Sequence, residues 1–93
     1  MPNSNFKNKE AKDLFTKHLM EMINKVPEDM RRSAKYGITI SFAMATMRDT
    51  FKWTNLGTLN DFWNSVRECG FQVVPALKKN GSEHRTCQVI IPR

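Results

Sequence analysis

Two histidines, two cysteines and a scatter of carboxylates are the residues of this chain best able to do chemistry. Their spacing restricts what that chemistry is. His84 and Cys87 stand three apart in a segment patterned as a strand, so their side chains point to opposite faces and cannot share a metal ion. His18 lies on an apolar helical stripe, where a histidine at the edge of the core belongs. Cys69 and Cys87 form no C-x-x-C pair and are too few for a disulfide framework. Both read as small hydrophobes in a reducing, cytoplasmic compartment. Only Asp49 and Asp61 fall near the expected sheet layers, no carboxylate pair has acid–base spacing, and no phosphate-binding glycine loop is present. One enzymatic reading survives. His84 as acid or base, beside Lys78 and Arg85 as stabilisers of a phosphorane-like transition state, would suit a small ribonuclease. The balance favours a protein that is not an enzyme and holds no metal and no cofactor.

The cations say more. Net charge is +6, and residues 1–29 contribute nothing to it, because five lysines there face five acids. Residues 30–93 carry ten Lys or Arg against four acids. Such asymmetry points to a polyanion-facing body. The residues expected to meet it are Arg31, Arg32 and Lys35, then Arg48 and Lys52, then Lys78, Lys79 and His84 in the stretch KKNGSEHR. The expectation is a small basic regulator that binds nucleic acid, RNA in preference to DNA, largely through the phosphate backbone. The alternative is an inhibitor or adaptor that binds a protein target, itself a nucleic-acid enzyme. Val74, Ala76 and Ile90 would then make the contact or a homodimer seam. The compact, Met- and Asn-rich composition suits a phage- or virus-encoded accessory factor. No apolar run reaches the roughly 20 residues that span a bilayer, and the N-terminus lacks the apolar region of a signal peptide. No membrane partner is expected.

What must position these residues is one domain over 6–93, after a polar, frayed start at 1–5. Ala11, Leu14, Phe15, His18, Leu19, Met22, Ile23 and Val26 recur at helical spacing, and Pro27 ends that helix. ITISFAMA, residues 38–45, alternates as a half-buried strand, and 47–53 reads as a second strand of flipped parity. A helix through Ile40, Met44, Met47 and Phe51 is the rival. Thr58 and Asp61 resemble a capping box that opens a helix over Leu59, Phe62, Trp63, Val66 and Cys69, with Gly70 as its stop. Residues 71–78 and 84–91 are the last strands. Their apolar positions favour a five-residue loop that pairs Val73 with Val89 and sets Lys78 opposite His84. The expected fold is α+β in the order α-β-β-α-β-β: a two-layer sandwich with two helices packed on one face of a four-stranded, mostly antiparallel sheet. The opposite sheet face would carry the hydroxyls and cations.

Overall fold

The computed structural model describes residues 6–93; the expected frayed start at 1–5 lies outside the described residues. Helix α1 spans Lys9–Asn24 and is opened by Asn8, whose side chain accepts from the Ala11 N–H at 2.9 Å. It buries Phe15, Leu19, Met22 and Ile23, the stripe seen in the sequence. A single 3₁₀ turn follows at Glu28–Met30.

The expected four-stranded sheet is not formed. Residues Ile40–Asp49 are helix α2, residues 50–57 are loop, and the sheet holds two strands, β1 (Phe71–Leu77) and β2 (Glu83–Pro92). The described residues form three α-helices, so only the broad α+β class is kept. Alternation over 38–45 fitted a strand, but Ile40, Ala43 and Met47 also recur at helical spacing, and all three are buried. Thr39 opens the helix: its backbone is extended and its hydroxyl accepts from the Phe42 N–H at 3.2 Å, which is an N-cap. Past that cap Ala43, Met44, Ala45 and Met47 are good helix formers, and only Ile40 and Thr46 of the ten residues are β-branched.

Helix α3, Leu59–Glu68, begins with the expected capping box. The Thr58 hydroxyl accepts from the Asp61 N–H at 3.2 Å, and the Asp61 carboxylate accepts from the Thr58 N–H at 2.9 Å. Gly57, at φ +75°, makes the turn into it. A Cβ there would also collide with the Asp61 carboxylate. The core is one cluster in which Phe15 meets Phe62 and Trp53 edge-on, while Phe71 and Ile90 join it from the hairpin.

β1 and β2 pair antiparallel, but one residue away from the expected register: Val73 faces Ile90 and Phe71 faces Pro92. That slip inverts β2, so Ile90 faces the helices, 1% exposed, and Val89 faces the other way, 0% exposed. Nearer the turn, Leu77 pairs with Glu83, so Lys78 and His84 are not partners. Between the Pro75–Gln88 and Leu77–Glu83 pairs, β1 spends one residue and β2 spends four. His84 holds this bulge: its Nδ1 accepts from the N–H groups of Thr86 at 3.3 Å and Cys87 at 3.1 Å.

Both outer edges of the hairpin are covered by residues 31–39, here called the strap. Ser33 bridges to Leu77 in parallel, with the Leu77 N–H donating to Arg32 O at 2.6 Å and the Ala34 N–H to Leu77 O at 3.0 Å. Five residues later the strap reaches the other edge, where the Ile90 N–H donates to Ile38 O at 2.8 Å. Gly37 makes the crossing over Val89. A two-stranded hairpin is marginal alone; here helices cover one face and the strap blunts both edges. Among the described residues no helix is long and apolar enough to cross a membrane.

Candidate nucleic-acid interface

The strap splits the expected cations into two groups. Its pairing to Leu77 brings Arg31, Arg32 and Lys35 beside the hairpin turn that carries Lys78 and Lys79. The pairing is a single bridge, Ser33 to Leu77, after which each segment turns, the Gly37 N–H donating back to Ser33 O and the Gly81 N–H to Lys78 O. Arg48 is elsewhere. It lies near the far end of α2, about 12 Å along the axis from Ile40, and pairs with its neighbour Asp49 at 3.3 Å. Lys52 follows it in the loop with left-handed backbone, φ 61°.

The cations at the hairpin end are not equivalent. Arg32 is committed to the fold: its guanidinium donates to Pro75 O at 2.8 Å and lies 3.8 Å from the Glu83 carboxylate. Arg31 donates to Val26 O and Asn24 Oδ1, both at 3.4 Å, at the C-terminal end of α1, where a cation suits the helix dipole. Lys35, Lys78 and Lys79 are exposed. Lys35 holds its ammonium 5.3 Å from the centre of the Tyr36 ring. Residues 25–35 and 78–85 together carry seven Lys or Arg against three carboxylates, Glu28, Asp29 and Glu83. His84 is half-buried, and its Nδ1 is occupied as an acceptor in the bulge. It does not pair with Lys78 across the hairpin, as the expected register had it.

The expected polar sheet face is also gone, because Thr39 caps a helix, Ser41 sits within it, and Gln88 shares the helix-facing side with Ile90. Val74, Ala76 and Ile90 do not form a seam: Ala76 is 0% and Ile90 1% exposed, and they lie on opposite sides of the hairpin. In place of the sheet face, a groove of about 430 Å³ opens between the end of α1, the strap and the start of α2. Lys25, Lys35, Tyr36, Phe42 and Thr46 line it. Tyr36 is 53% and Phe42 55% exposed. As a strand, 38–45 would put Phe42 on the same face as Ile38 and Ile40, in the core, and the zero net charge of 1–29 draws no attention to Lys25. Reading 40–49 as a helix would have exposed Phe42, since Ile40, Ala43 and Met47 take the inner face.

A second cleft, about 570 Å³, lies between α1, the 51–57 loop and α3. Its wall is aromatic. His18 stacks on Phe51 with ring centres 3.9 Å apart and accepts from the Trp53 indole N–H at 2.8 Å through Nδ1. Burial pushes the His18 pKa down, with Lys17 pushing the same way and Glu21 opposing. His18 is thus a neutral acceptor that orders the loop, as expected of a core-edge histidine. Burial raises the pKa of Cys69, which favours the thiol over the thiolate. Among the described residues no three His, Cys, Asp or Glu side chains gather as a metal site. Compared with known proteins, the chain matches no family model, no curated protein and no solved structure.

Proposed function

We propose that this protein is a small regulator that binds nucleic acid, RNA in preference to DNA, through the basic end where the strap meets the hairpin turn. The observation that carries the reading is the joining of two distant chain segments at Ser33 and Leu77, which brings the cation-bearing stretches 31–35 and 78–79 to the same end of the hairpin. None of Lys35, Lys78 and Lys79 is in an ion pair among the described residues. Cations gathered this way release counterions from a phosphate backbone, which makes binding steeply salt-dependent and weakly sequence-specific. RNA is favoured because the Thr39 and Thr46 hydroxyls line the adjoining groove, where a 2′-hydroxyl can be met. Two free thiols, Cys69 and Cys87, suit work in a reducing compartment.

The test is a mobility shift with mixed-sequence RNA at low and at physiological salt. A shift at low salt that fades with added salt is expected. With about four phosphates neutralised on a single strand, affinity falls roughly 50-fold between 50 and 200 mM salt. Absence of any shift at low salt refutes the reading. A stoichiometric protein complex that survives nuclease treatment would favour the inhibitor or adaptor in its place.

A further inference from the structure

We infer that the groove between α1, the strap and α2 seats single-stranded nucleic acid, with bases stacked on Phe42 and Tyr36 and phosphates held by Lys25, Lys35 and Lys78. The inference rests on the nucleic-acid reading above and narrows it from polyanion in general to unpaired strands.

Single exposed apolar side chains are ordinary on a protein surface. The arrangement at this groove is different. Two aromatic rings, each more than half exposed, line one cleft whose other members include two lysines. Neither ring is held outward by a polar partner. Phe42 has no polar group to offer, and the Tyr36 ring has the Lys35 ammonium 5.3 Å from its centre. The fold puts Phe42 there: with Ile40, Ala43 and Met47 committed to the core, the third residue of α2 must face out. Lys35 and Tyr36 are held by the strap, where Ser33 Oγ accepts from both of their N–H groups at 3.2 and 3.3 Å.

Aromatic faces flanked by cations are what an unpaired strand needs. Its bases offer free π-faces and its phosphates follow within a residue's reach. A duplex keeps its base faces stacked inside and would leave both rings without a partner. Charge complementarity selects this occupant over an apolar peptide. The groove's rim is cationic, and its backbone link to Leu77 continues it toward Lys78 and Lys79.

The experiment measures fluorescence anisotropy of a labelled single-stranded RNA of about 12 nucleotides and of the same sequence annealed to its complement. Expected is tighter binding of the single strand. Phe42→Ala and Tyr36→Ala should each lower single-strand affinity by about 5- to 150-fold and leave duplex binding unchanged. Phe42→Trp, which keeps a stacking face, should restore it. Leu59→Ala, an equally exposed apolar residue on α3, should have no effect. Circular dichroism melts confirm that each variant is folded. A parent that binds RNA but prefers the duplex, or is indifferent to Phe42→Ala, overturns this inference and leaves the charge-based reading standing. A parent that binds neither RNA at low salt overturns both.

Discussion

Replacing Gly37 with alanine should be among the most damaging single-methyl changes in the protein. A Cβ at position 37 would lie 2.6 Å from Arg31 O, 2.7 Å from Ser33 O and 2.9 Å from Val89 Cγ1. Two of those atoms are backbone oxygens and cannot rotate away, and Val89 is fully buried. The strap must therefore lift. Overpacking of this kind costs about 1–3 kcal/mol. The Gly37 N–H bond to Ser33 O, 2.8 Å long, is strained with it, which adds about 1 kcal/mol. A total near 2–4 kcal/mol is a large share of the roughly 5–15 kcal/mol that holds a domain together. At 4–8 °C per kcal/mol for a chain of this size, the thermal midpoint should fall by about 10–30 °C. The assay is thermal melting followed by circular dichroism, paired with hydrogen exchange at the Ala34, Leu77 and Ile90 amides, which the strap protects or which protect it. Gly81→Ala is the matched control, since nothing lies within 4 Å of its added Cβ and only its φ of +87° opposes the change. A Gly37→Ala midpoint within about 2 °C of the parent would refute the close crossing of strap over hairpin, since it allows at most about 0.5 kcal/mol.

Lys78→Glu with Lys79→Glu should weaken RNA binding and flatten the log–log salt dependence by about 1.4, while Arg48→Glu with Lys52→Glu leaves both nearly unchanged; parallel salt titrations read the difference. Acidification should destabilise the protein through His18. Its folded pKa lies below the ordinary 6.5, so the unfolded chain takes the proton first, and the stability present above about pH 6.5 is lost as pH falls toward the folded value. Melting curves from pH 7.5 to 5 should show this slope, and His18→Gln should flatten it. Thr58→Ala should cost about 1 kcal/mol in chemical denaturation by opening the capping box. Adding Asp61→Ala should then cost less than the two single losses together, because the two side chains serve one device.

The parts of this fold legible in the sequence were those where one local signal had no competitor. α1 was readable because its apolar stripe spans several turns and Pro27 stops it. α3 was readable because Thr58 and Asp61 satisfy each other's backbone three residues apart, a purely local bond. The hairpin was readable as two strands around Asn80-Gly81. Residues 38–49 were not, because Ile40, Phe42 and Met44 alternate while Ile40, Ala43 and Met47 repeat at helical spacing, and each pattern offers an apolar face. Only the surroundings choose between them: Ile38 and Thr39 are already taken by the edge of β2, and the chain beyond can bury Ala43 and Met47 against α1 and α3. The register of β2 was hidden for a related reason. Val89, Ile90 and Ile91 are consecutive and apolar, and both faces of the hairpin find cover, so parity could not say which residue faces the helices.

The candidate site divides along the same line. Composition and charge placement, by themselves, determined that the body of this protein beyond residue 29 is basic. They could not say which cations would meet. That depended on the strap, whose hydrogen bonds to Leu77 join residues separated by more than forty positions and divert Arg32 from ligand to scaffold. They also could not show Phe42 at the surface, since its exposure follows from the helix that tertiary packing selected. Local bonds are written in neighbouring residues and can be read there; contacts between distant segments exist only once the chain has closed on itself.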